Sequence, residues 1–258
     1  MSGRGELLVM SEEPVFDNVD EERLYRKQHL AIAFRAFALR GYNTGYGGHA
    51  AVRDPAQPDW FWTNPFGRPF ELIRTSDLLL VDSEGALAEG DGIVNRAAFA
   101  IHAGIHRARP DVVASVHLHG VSGMAFSALA GPLRPITQDS CAFFEDHAVY
   151  DEFDGPALEP VDGQRMAKTL GPAKAMILAN HGLLTVGSSI DAAAFWMIRL
   201  QTCAQVQMLA ESTGRPVQDV PADLARHTAQ ASGTDRSGWF GFQTPLQLIV
   251  ATQPDVLE

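Results

Sequence analysis

The 258-residue chain sets 20 Lys and Arg against 31 Asp and Glu, a formal net charge of −11, with nine His, two Cys and 46% apolar residues. Cations that are scattered on an acidic chain argue against a nucleic-acid partner, whose affinity depends on Lys and Arg neutralising phosphates. No run reaches the ~20 apolar residues of a membrane-spanning helix, residues 1–9 are too short and mixed for a signal peptide, and two cysteines exclude a disulfide framework or Cys-based zinc module and point to a reducing, cytoplasmic setting.

Residues 1–17 read as an N-terminal tail. Asn18 with Glu21 three residues on resembles a capping box; Leu24, Ala31, Phe34, Phe37 and Ala38 then recur at helical spacing until Gly41 stops the helix. A Gly-rich turn over 45–48 precedes short strand-like pieces at 50–53 and 60–63, and 78–81 reads as a buried strand. Asn95 caps a second helix with Ala98, Phe99, His102, Ile105 and His106 on one face, ending near Arg109. Strands follow at 112–119, 174–178 and 183–186, then the longest helix over 191–212, capped by Ser189. From Pro221 the pattern is mixed and closes with an aromatic, proline-bounded piece over 239–245. Strand and helix alternate without a repeat or polar linker. This predicts one α/β domain over 18–215, with 216–258 packed on it or on a neighbouring subunit.

The histidines are the candidates for chemistry. His117 and His119 lie two apart at the end of a strand, whose period of two puts both imidazoles on one face where they can grip a divalent ion. A solvent-facing pair is the alternative. His181, between Asn180 and Gly182 at another strand end, would complete a three-His set that leaves open positions for water and substrate. His102 reads as a buried, hydrogen-bonded partner and His106 as nearer the helix edge, while the polar surroundings of His29 and His227 predict exposure. His147 is a catalytic group or a loop residue. The turn before His49 carries neither phosphate-cradling fingerprint, so it is a tight turn or a close approach to a small anion. No nucleophile elbow is present.

Five motifs in order carry a resemblance: Gly48-His49 with Arg53-Asp54-Pro55; Thr63-Asn64-Pro65-Phe66-Gly67; Arg109-Pro110-Asp111; His117-x-His119; and Asn180-His181-Gly182-Leu183-Leu184 with Gly187. Over roughly residues 20–210 the chain resembles the class II aldolase/adducin head-domain superfamily. The resemblance implies a single three-layer α/β/α domain with a central mixed sheet, usually a homotetramer with its active site near a subunit interface. It implies a divalent metal on His117, His119 and His181, which in that superfamily binds two oxygens of a hydroxy-keto substrate. Beside the metal, His49, Arg53, Asn64, Gly67 and Arg96 are the substrate-binding candidates, and His147 and Tyr150 the proton-handling ones.

The departures redirect the functional expectation. Aldolases of this superfamily carry an acid nineteen positions before the first His of the pair, and here that position is Ala98, preceded by Arg96 and Ala97 in place of serines. The segment is similar to the adducin-like branch. Within that branch Glu12-Glu13-Pro14, Phe61-Trp62, Gln138-Asp139 with Cys141-Ala142-Phe143, and Leu183-Leu184-Thr185-Val186-Gly187 resemble non-haem iron oxygenases of aminocoumarin pathways. That likeness implies oxidative C–C cleavage or decarboxylation of a small aromatic 2-oxo or hydroxy acid with O2, with Fe(II) favoured over Zn(II) or Mn(II). A non-oxidative aldolase or lyase and a non-catalytic adducin-like module are the alternatives. Trp60, Phe61, Trp62, Phe66, Phe143 and Phe144 line an aryl pocket or belong to the core.

Overall fold

The computed structural model describes residues 12–129 and 131–258; up to residue 11, the expected N-terminal tail lies outside them. The elements in chain order are α1 (Val19–Leu39), β1 (His49–Arg53), β2 (Phe61–Thr63), β3 (Leu79–Val81), β4 (Leu87–Glu89), α2 (Arg96–Ala108), β5 (Ala114–Leu118), α3 (Val121–Ser127), α4 (Gln138–Cys141), β6 (His147–Tyr150), α5 (Pro160–Leu170), β7 (Ala175–Leu178), β8 (Gly182–Gly187), α6 (Ile190–Ser212), α7 (Ala222–Ser232) and α8 (Asp235–Thr252). The caps read from sequence are in place. Asn18 accepts from the Asp20 amide, Asn95 from those of Ala97 and Ala98, and Ser189 from that of Ala192.

The strands form one mixed sheet in the order β4-β3-β2-β1-β5-β8-β7-β6, antiparallel throughout except for the parallel pair β6 and β7. Strand alternation divides the core into two layers. Ala50, Val52, Trp62, Val116 and Ile177 share one hydrophobic cluster with α1, α6 and α8. On the opposite face Met176, Leu178, Leu184 and Val186 join α2 and α5, and Ala51 joins Ala103 of α2. The result is the expected three-layer α/β/α domain, and His49, Ser115 and His117 fall on the α2 side. There α2 and α5 pack backbone to backbone: a Cβ on Gly163 would stand 1.9 Å from the Ala100 carbonyl.

Three expectations need correction. His29 is buried, bonded through Nδ1 to both oxygens of Asp191 at 2.8 and 2.9 Å, and covered by the Tyr25 ring; its partner lies 162 residues away, so local polarity gave the wrong answer. His106 is also buried, under the Phe61 ring. The piece over 239–245 is not bounded by Pro245, which sits inside α8. A helix-interior proline forfeits a hydrogen bond, but Trp239, Phe242, Leu246 and Ile249 bury one face of α8 against α1 and α6, and that packing outweighs the loss. No described helix is long and apolar enough to cross a membrane.

Candidate metal centre

His117 is the penultimate residue of β5, with His119 just beyond the strand, and β1 pairs antiparallel so that His49 stands directly opposite His117. His181 lies in the tight turn between β7 and β8, where its amide bonds the Leu178 carbonyl at 3.0 Å and Asn180 takes a left-handed φ of 56°. Gly182 makes the approach possible: a Cβ there would stand 2.6 Å from the Leu118 carbonyl and 3.5 Å from the His117 ring. The two strand ends therefore meet, and one ring nitrogen from each of His117, His119 and His181 lies within 4.8 Å of the others.

The donor chemistry fits a divalent ion. His117 Nδ1–H donates to the Leu183 carbonyl at 3.0 Å, which leaves the Nε2 lone pair aimed inward. That atom is 2.8 Å from His119 Nε2, within hydrogen-bond distance, so the two ring nitrogens face one point. Burial, reinforced by neighbouring imidazoles, pushes His117 well below the usual histidine range and His181 down to about 4, and burial lowers His119 as well. All three rings are thereby kept neutral at pH 7, the form that can ligate. Ala98, fully buried in α2, supplies no oxygen.

Above the three rings opens a cavity of about 450 Å3. Its walls are Tyr46, Phe66, Ile93, Ile101 and Leu158, and among the described residues Arg96 is the one charged side chain lining it. Arg96 is exposed and only loosely paired with exposed Glu159 at 3.4 Å, so its guanidinium is available to a ligand. His49 lines the same cavity. Tyr150 lines a smaller neighbouring cavity of about 70 Å3 together with His181 and Phe153, its hydroxyl 3.4 Å from Glu152.

Other sequence candidates are not brought to the cavity. Arg53 spends its guanidinium on the carbonyls of Pro58, His106, Arg109 and Val112, tying β1 to the connection between α2 and β5. His147 receives the Leu133 amide at Nε2 (3.1 Å) and donates from Nδ1 to the Phe143 carbonyl (2.7 Å), so neither nitrogen is free for a substrate. Asn64 is buried beside Thr63, and Gly67 forms an exposed turn with φ 81° just beyond Phe66. Of the six aromatics weighed for an aryl pocket, Phe66 lines the cavity, while Phe61, Trp62 and Phe143 are core. The wall residues Tyr46, Ile93 and Leu158 carried no signal, because they lie in loops with no periodicity to read.

The family described as Class II Aldolase and Adducin N-terminal domain matches residues 28–208. Over 245 residues the chain is 48% identical to "Decarboxylase NovR" of Streptomyces niveus, covering 94% of this chain and 90% of the relative. It is 47% identical to "4-hydroxy-3-prenylphenylpyruvate oxygenase/4-hydroxy-3-prenylbenzoate synthase" of Streptomyces roseochromogenus subsp. oscitans, covering 94% and 88%. A solved structure titled L-fuculose 1-phosphate aldolase from Glaciozyma antarctica PI12 superposes with a TM-score of 0.89 at 40% identity, covering 98% of this chain and 100% of that one.

Proposed function

The chain belongs to the class II aldolase and adducin family, and on that footing we propose that it is a metal-dependent enzyme that cleaves a C–C bond oxidatively in a small aromatic 2-oxo or hydroxy acid. The observation that carries this reading is a carboxylate-free set of three neutral imidazoles beneath an apolar cavity with one available cation. Three nitrogen donors leave up to three positions of an octahedral ion free. An ion held by His117, His119 and His181, with Fe(II) favoured over Zn(II) and Mn(II), would supply Lewis acidity toward two substrate oxygens and, if redox-active, the electrons O2 requires.

The chain's own residues do the rest. Arg96 pairs with the substrate carboxylate, for which a planar guanidinium is suited. Tyr46, Phe66, Ile93 and Leu158 hold the aryl group and exclude water. Tyr150, beside His181, is the group placed to move a proton near the ring cluster. We read the enzyme as a cytoplasmic homotetramer. The names of the two relatives, a decarboxylase and a prenylphenylpyruvate oxygenase, agree with this substrate class.

Elemental analysis of protein purified without chelators, followed by oxygen-electrode assays with phenylpyruvate and 4-hydroxyphenylpyruvate, tests the proposal. His117→Ala should lose bound metal and turnover together, and retention of both sinks the ligand assignment. The aldolase title of the solved neighbour favours a second reading, a non-oxidative lyase. It requires a replacement for the acid missing at Ala98, and turnover that is equally fast without O2 would establish it.

A further inference from the structure

α3 starts directly after His119, and its N-cap is Gly120, which has no side chain to accept from the first amides of the helix. The acceptor comes from α6 instead. Gln201, 1% exposed, takes the Gly123 N–H on its Oε1 at 2.7 Å, the bond that a serine or aspartate at the N-cap would make to the third helical residue. Its side chain also fills the space a local cap would need: a Cβ on Gly120 would stand 2.6 Å from Gln201 Nε2 and 2.9 Å from its Oε1, and one on Gly123 2.8 Å from Nε2.

The other half of the amide identifies what Gln201 contributes. Its Nε2 is buried with no hydrogen-bond partner among the described residues, a cost that leucine or methionine would not carry. Packing alone would therefore favour an apolar residue, and the acceptor is what glutamine adds. The amide orientation is fixed as well, because the reverse would set Nε2 against the Gly123 N–H, donor against donor.

The residue that depends on this cap is His119. His117 is oriented by donating Nδ1–H to the Leu183 carbonyl, the kind of partner a ligating imidazole ordinarily has. Among the described residues the His119 ring comes within hydrogen-bond distance of His117 alone. It also lies past the last residue of β5, so no ladder pairing holds its backbone. We propose that Gln201 is a positioning residue that caps α3 from α6, 78 residues away from Gly123, and thereby fixes the turn that carries His119 into the ligand set. This rests on the reading of His117, His119 and His181 as metal ligands.

Two measurements on the whole protein test it. In metal-free protein the Gly123 amide should exchange with solvent roughly tenfold faster in Gln201→Ala than in wild type. Zinc affinity, read by competition with a chromophoric chelator, should fall about 10–100-fold in the same variant. Gly120→Ser alone should weaken zinc too, because the new side chain collides with Gln201. The double variant Gln201→Ala with Gly120→Ser, in which a local cap occupies the vacated space, should recover the slow exchange and most of the affinity. Wild-type affinity in Gln201→Ala, or a double variant no better than Gln201→Ala, overturns the proposal. Should Gln201→Ala not fold, Gln201→Met, which keeps the bulk without the oxygen, takes its place. His119→Ala tests the ligand reading separately: unchanged zinc affinity there counts against His119 as a ligand, while the Gly123 exchange rate still decides whether Gln201 caps α3.

Discussion

Gly182 is the residue on which the convergence of the three imidazoles depends. With the Leu118 carbonyl 2.6 Å from where a Cβ would sit, even alanine must push β8 away from β5 at the point where His181 meets His117 and His119. Gly182→Ala should weaken zinc binding by about 10–100-fold, the scale expected when the support of a ligand is disturbed, as read by competition with a chromophoric chelator; unchanged affinity would remove Gly182 from this role. The pH response has a definite sign. Because burial lowers all three rings, and His181 to about 4, protons compete with the metal only in acid. Zinc should stay bound as pH falls from 8 to 6 and dissociate toward pH 4; release already at pH 6.5 would contradict it. The His-x-His pair and the Asn180-His181-Gly182 turn could be read from the sequence, because strand period and glycine chemistry are local. The contacts that join His49 to His102 and Ser115 could not, since they link residues from β1, α2 and β5.

At the level of elements, the layer of α2 and α5 governs the site from below. α2 carries Arg96 into the cavity wall, His102 into contact with His49 and His106 into contact with Ser115, and it lies on α5 through Gly104 and Gly163. A side chain at 163 would enter the Ala100 carbonyl, so Gly163→Val must drive the helices apart. Overpacking of this kind costs typically about 1–3 kcal/mol. The expected outcome is a lowered urea midpoint; a midpoint equal to wild type would show that the two helices adapt freely. Helices α1, α2 and α6 were legible from their caps and apolar spacing, β5 from its β-branched run, and β7 and β8 from short apolar runs. The edge strands β4 and β6 were not. β4 is three exposed residues, and the His147 that opens β6 reads as a polar loop residue. α8 was obscured by Pro245, whose cost is offset only by contacts distant in sequence.

For the molecule as a whole, one buried carboxylate joins the first helix to the sheet. Asp54, 1% exposed, accepts from Arg23 of α1 at 2.7 and 3.2 Å, from the Trp62 indole at 2.9 Å, and from the amides of Ala56 and Gln57. Burial alone would raise its pKa, but these donors outweigh that and hold it below 3.8. A group with a depressed folded pKa gives stability that is complete above its unfolded value and lost as pH falls through the folded one. The wild type should therefore lose this contribution only below about pH 4. Asp54→Asn should cost about 2–3 kcal/mol at pH 7, and its deficit should shrink as pH drops below 4. Urea titrations at pH 7 and pH 3 read both quantities, and a deficit that grew in acid would reverse the assigned sign.

The floor and walls of the cavity have different origins. The floor is sheet: His49 and His117 on paired central strands, His119 one step beyond, His181 in the turn of the adjoining hairpin. Tyr46, Phe66, Ile93 and Leu158 come from four separate connections whose packing the sheet does not dictate. The cluster of three imidazoles and the lining of the cavity are thus physically modular. Grafting other loops at these four places would change what the cavity admits while the sheet-borne imidazoles kept their geometry, a division of labour that lets one scaffold accept many different linings.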